Sequence, residues 1–128
     1  MLSDREILST LEMLRSEHLD VRTVTLGVSL FDCADPNVDG FCDKVRRKIM
    51  RLAQNLVAVC DEVGDKYGIP VVNKRVAVSP IAVVGAAFGR DDLVQVARTL
   101  DEAARAVRVD FIGGFSALVE KGFTNGDV

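Results

Sequence analysis

Residues Val71–Ala82 read Val-Val-Asn-Lys-Arg-Val-Ala-Val-Ser-Pro-Ile-Ala and constrain the chain more than any other stretch. Successive strand residues point to opposite faces. Val72, Val76 and Val78 therefore share one face, and Asn73, Arg75, Ala77 and Ser79 share the other. Lys74 interrupts the apolar face and fits there with its stem along the surface and its ammonium in water. Pro80 ends the strand because it has no amide to give to a sheet. A second segment, Asp20–Leu30, behaves in the same way: Val24, Leu26, Val28 and Leu30 lie opposite Thr23, Thr25, Gly27 and Ser29.

Helical patterns separate these strands. Ser3 and Glu6 fit a capping box ahead of Ile7, Leu11 and Leu14, which predicts a helix over Ser3–Glu17. A long helix is expected over Gly40–Lys66, with Phe41, Val45, Ile49, Leu52, Leu56, Cys60 and Val63 as one stripe and Gly68 as its terminator. Pro80 starts a short buried helix. Asp91 or Asp92 caps another that runs to Val107, with Leu93, Val96, Ala97, Leu100, Ala103, Ala104 and Val107 inward. Val109–Ile112 is a short third strand, and Gly113-Gly114 leads into Phe115–Val119, whose state stays open. Strands alternating with helices define an α/β fold of parallel βαβ units. A chain of 128 residues makes one domain, 1–128.

Composition narrows the function. A formal net charge of −3 favours neither nucleic acid nor an anionic membrane. The sequence has no Trp and one Tyr, so an aromatic stacking surface for bases is not expected. It contains no apolar run long enough to span a bilayer. The start lacks the pattern of a signal peptide. Three scattered cysteines, Cys33, Cys42 and Cys60, follow no zinc pattern, and a reduced cytoplasmic protein is expected.

Parallel strands deliver their C-terminal ends to one edge, where α/β sheets bind ligands. That edge collects Ser29, Ser79, Gly113, Gly114 and Ser116, with Arg75 on the polar face. Arg75 can grip a carboxylate or phosphate bidentately; the competing role is a structural ion pair with Asp110. Gly113 and Gly114 can bring backbone amides to an anion, helped by a helix starting near Ser116. The loop Asp35-x-Asn37-x-Asp39-Gly40 imitates half of a calcium loop, but Arg46 stands where its closing Glu belongs. Pro36 and Asn37 then make a turn, and Asp39 caps the long helix. Lys44, Arg46, Arg47, Lys48 and Arg51 read as a solvated face. His18 falls on the wrong side of the sheet to serve Cys33 or Ser79. Asp32 and Asp35 raise the pKa of Cys33, so no catalytic residue, metal ligand or cofactor can be named.

Three segments carry a resemblance: Val21–Leu30, Gly68–Val76 and Phe111–Val119. In this order they are similar to the uncharacterised "PFL family", bacterial and archaeal proteins that resemble the pyruvate formate-lyase barrel. The resemblance implies the N-terminal part of such a barrel, with a polar interior. Its radical-enzyme relatives use adjacent cysteines and a glycine near the C-terminus; here Cys33, Cys42 and Cys60 are scattered and the family's C-terminal region is missing, which argues against glycyl-radical chemistry. Members often lie beside a small amino-acid-sensing (ACT-type) protein. Three readings follow: a module that binds a small anionic metabolite in a regulatory role, an enzyme subunit that needs groups from another chain, or a structural fragment that only assembles. Three strands of a barrel leave edges and an apolar face open, so a homo-oligomer or a complementary chain is expected.

Overall fold

The computed structural model describes residues 3–16 and 21–116. The elements are α1 (Asp4–Ser16), β1 (Val21–Val28), a 3-10 turn (Phe31–Cys33), α2 (Val38–Ala53), α3 (Leu56–Tyr67), β2 (Val71–Val78), α4 (Ile81–Val84), α5 (Arg90–Val107) and β3 (Phe111–Gly113). His18 and the segment from 117 onward lie outside the described residues.

The two alternating segments form β1 and β2. They pair in parallel from Val21↔Val71 to Val28↔Val78. β3 joins the other side of β2, also parallel, from Arg75↔Phe111 to Ala77↔Gly113. The sheet order is β1-β2-β3. The apolar face, with Val28, Leu30, Val76 and Val78, packs on α2 through Phe41, Val45 and Ile49 and on α5 through Leu93, Val96 and Leu100. Phe41 meets Phe88 edge to face at 5.3 Å between centroids. Burying each large apolar side chain here contributes about 2–3 kcal/mol. α2 and α5 also pack against each other, so both crossovers lie on the same side of the sheet.

Local chemistry sets the element ends. Ser3 and Glu6 form the expected box: the Glu6 carboxylate accepts from the Ser3 amide at 2.7 Å and from its hydroxyl at 2.8 Å. The stripe of α1 is nevertheless exposed at Ile7, Leu8 and Leu11. α2 begins at Val38 rather than Gly40. Its cap is Asn37, whose side chain accepts from the Asp39 amide at 2.8 Å, so Asp39 is not the cap. α5 is capped by Gly89, whose amide donates to the Asp92 carboxylate at 3.3 Å.

The long helix is two helices. Asn55 sits at φ −105°, ψ −1°, and the chain turns between Ala53 and Leu56 without glycine or proline. The turn swings α3 onto β2 and breaks the stripe, leaving Leu52 and Val63 exposed while Ala53 and Cys60 are buried. Gly68 ends α3 in the left-handed region at φ 66°, as its position required. The Lys74 stem lies along the sheet as expected, but its ammonium is not left to water: the side chain is mostly covered, and the ammonium pairs with Asp61 at 3.1 Å.

β3 begins later than the apolar run suggested. Asp110 takes over the first rung of the ladder: its amide donates to the Lys74 carbonyl at 2.8 Å, and its carboxylate accepts from the Lys74 amide at 2.7 Å.

Candidate functional site

The face of the sheet away from the helices is uncovered. Thr23, Thr25 and Gly27 of β1, Arg75 of β2 and Phe111 and Gly113 of β3 are exposed there, with Asn73 and Ala77 half-buried. Parallel sheets are normally covered on both faces. Register places these residues in rows: Thr23 beside Asn73, then Thr25, Arg75 and Phe111, then Gly27, Ala77 and Gly113. Rows on one face lie about 6.7 Å apart along the strands. The third row has almost no side chain, so a shallow floor adjoins the guanidinium.

Arg75 is the one cation on this face among the described residues, and it has no acidic partner among them. The expected pairing with Asp110 does not form, because the Asp110 carboxylate is held by the Lys74 amide. Phe111, 59 % exposed, is the face's large apolar group, and the sequence reading overlooked it. Its signal was present in the sequence: strand parity puts Phe111 on the side of Gly113, opposite Ile112.

The strand ends bring Ser29, Ser79 and the Gly113-Gly114 pair to one edge, each with a different occupation. Ser29 is exposed. The Ser79 hydroxyl accepts from the Leu30 amide at 2.9 Å, pinning the end of β2 to the chain that leaves β1. Gly114 has a structural reason of its own. It lies at φ 122°, and an added Cβ would come within 2.5 Å of the Val78 carbonyl oxygen. Its carbonyl accepts from the Ile81 amide at 2.9 Å and from the Ser116 amide at the same distance, so the Ser116 N–H is already used.

Around this edge most charges are paired. Lys44 meets Asp35 at 2.8 Å, Lys48 meets Asp32 at 2.5 Å, and Arg46 bridges Asp43 and Glu102 at 3.2 and 3.3 Å. The basic run of α2 thus fastens its own loop and α5. In the acidic loop, Asp35 accepts from the Asn37 amide as well as from Lys44, so the oxygens of the calcium-like half-motif are directed at protein groups. The Lys48 ammonium holds Asp32 below the usual carboxylate range, and Lys44, then the Asn37 amide, do the same for Asp35. Cys33 is buried in the core. Burial first, then the Asp32 carboxylate, push its thiol up, so of the two acids expected to raise it only Asp32 contributes, and as the lesser cause. A cleft of ≈ 630 Å³ at the other end of β2 is lined by Cys60, Asp61, Gly64, Asp65 and Val71. No helix among the described residues is long and apolar enough to cross a membrane.

The fold and its open face define a class: a parallel α/β sheet with α2 and α5 packed on one face and the other face open among the described residues. Within that class, residues 12–128 match the family model described as "Uncharacterised ACR (DUF711)", and the chain belongs to that family. Proteins called UPF0210 match across it: one from Syntrophobacter fumaroxidans is 71% identical over 127 residues and one from Oleidesulfovibrio alaskensis 68%, each covering 99% of this chain. One from Streptococcus uberis is 51% identical over 123 residues, or 96% of the chain. The chain spans 28% of the length of each of these relatives. Family and relatives carry no assigned activity in these names.

Proposed function

We propose that the uncovered face is one wall of a binding site for a small anionic metabolite, in a module that acts in regulation. In this reading the sheet continues into a barrel resembling that of pyruvate formate-lyase, and the wall faces its interior. The sheet order runs without reversal and both crossovers lie on one side, which is how a sheet curls into a barrel rather than a doubly wound layer. The observation that carries the ligand is Arg75: an exposed guanidinium on a face normally covered in parallel sheets, with no acid beside it among the described residues. Ser29 and the outer surface of Ser79 and Gly113 complete the anion's surroundings, and Gly114 and Ser116 shape the loop above them. The enzyme-subunit reading draws no support from Cys33, whose thiol is buried and held protonated.

The test is a chimera: the full-length Syntrophobacter fumaroxidans relative carrying this chain in place of its own matched 127 residues. Native mass spectrometry of the chimera purified from cells is expected to show a retained small anion that Arg75→Gln loses. Inorganic phosphate and succinate, added separately, are expected to raise the melting midpoint of the chimera but not of the variant. A retained anion that survives Arg75→Gln overturns the assignment. So does a chimera that carries no anion and responds to neither probe.

A further inference from the structure

We infer that the uncovered face is a docking surface for polypeptide equivalent to the part of the relatives' length that this chain does not span, and not for a second copy of the chain. Three observations carry this inference. The first is length: the chain accounts for 28% of each of the UPF0210 relatives, so most of the family's polypeptide lies outside it. The second is charge. Along the described part of this face, from Thr23 to Ser29, Asn73 to Ser79 and Phe111 to Gly113, the outward residues include Arg75 and no Asp or Glu. Two copies packed face to face would set guanidinium against guanidinium across a sheet spacing of about 10 Å, with no acid to offset them. A covering segment of different sequence, or an anion held under it, can supply the negative charge.

The third observation is the floor. Gly27 and Gly113 flank Ala77 in register, and a Cβ built on either glycine meets nothing within 4 Å. Neither has a φ in the left-handed region, whereas Gly68 and Gly114 do. Glycine inside a strand is destabilising by roughly 0.5–1 kcal/mol relative to alanine. No described residue within 4 Å of the Cβ position accounts for that loss at Gly27 or Gly113, and close approach of another backbone or a ligand is one of the settings in which strands carry glycine. A second copy would bring its own floor, small against small, and leave the gap unfilled. A segment with larger side chains fills it.

The inference shares Arg75 with the anion reading in its charge argument, but its test reads Gly27, which the anion reading does not use. Its test compares the isolated chain with the chimera. Gly27→Cys is expected to react freely with a maleimide in the isolated chain at all concentrations and to be protected by about tenfold or more in the chimera. Gly27→Leu is expected to leave the urea midpoint of the isolated chain unchanged or raised and to lower that of the chimera. Equal labelling in both proteins overturns the inference, as does protection that grows with concentration in the isolated chain, which would identify a second copy. A chimera that tolerates Leu at 27 as well as the isolated chain does also overturns it. Labelling reads the surface even where the leucine variant of the chimera does not fold, and both readouts report coverage at residue 27 rather than a retained anion, which separates this test from that of the anion.

Discussion

Gly113 and Gly114 are adjacent in sequence, and the structure assigns them opposite sensitivities. Replacing Gly114 by alanine places a Cβ 2.5 Å from the Val78 carbonyl oxygen and 2.6 Å from its Cγ2. Carbon–oxygen contacts in proteins ordinarily lie at about 3.3–3.6 Å, so roughly 0.8 Å of separation is missing. The φ of 122° is a conformation that side-chain-bearing residues adopt at a cost of about 1–3 kcal/mol. Moving the loop away from Val78 would relieve the contact but stretch the 2.9 Å bond from the Ile81 amide to the Gly114 carbonyl, a loss of about 1 kcal/mol. Gly114→Ala is therefore expected to destabilise the chain by about 2–4 kcal/mol, a large share of the roughly 5–15 kcal/mol typical of a domain. With a urea slope of about 2 kcal/mol per molar, the midpoint falls by about 1–2 M. Gly113→Ala meets open space and is expected to leave the stability within about 0.5 kcal/mol of the parent's, or slightly higher. Urea unfolding followed by circular dichroism reads both. A Gly114→Ala midpoint equal to the parent's, or the same loss from both variants, would refute the argument that the pair divides into one packing glycine and one surface glycine.

The other expectations are smaller. Ser79→Ala removes the acceptor of the Leu30 amide and is expected to cost about 1–2 kcal/mol in urea unfolding, with Ser79→Thr retaining most of the stability. Cys33, Cys42 and Cys60 are all buried, so Ellman's reagent at neutral pH is expected to titrate them only as the chain unfolds; a rapid equivalent in the native protein would contradict the burial of Cys33. Lys44 and the Asn37 amide depress Asp35 in the folded state, so its contribution is present above the unfolded carboxylate value of about 4 and is lost as pH falls through the lower folded value. Asp35→Asn should then show a shallower loss of urea midpoint between neutral and acidic pH, and an unchanged slope would remove Asp35 from the acid response.

Much of the fold was legible because one face of the sheet is uncovered. Buried parallel strands read as continuous apolar runs, but Thr23, Thr25 and Asn73, Arg75 alternate with valines and leucines, so β1 and β2 announced themselves by parity. The break between α2 and α3 was not legible. Neither Gln54 nor Asn55 is a strong helix breaker, and what bends the chain there is the packing of α3 on β2, a tertiary cause that a window of residues does not contain. The caps of α2 and α5 were displaced for a related reason. Asn37 and Asp39, or Gly89 and Asp92, can each open the helix, and the choice depends on where the preceding loop arrives.

The candidate site divides along the same line. Parity alone placed Arg75, Ser29, Ala77 and Gly27 on a common face, and the parallel order placed Ser79 and Gly113 at its edge. Sequence could not show that Asp110 is spent on the Lys74 backbone, because that bond joins residues 36 positions apart. Yet this bond changes the meaning of Arg75. Had Asp110 reached the guanidinium, Arg75 would be an ordinary ion pair at a strand edge. With Asp110 capturing an amide instead, the arginine remains the unmatched charge of a face that has no acid among its described residues. The same capture closes the β2–β3 ladder from below and fixes Phe111 beside Arg75. One carboxylate therefore sets the start of β3 and leaves the guanidinium without an acid partner among the described residues, so the fold of this edge and the charge of the face have a common origin.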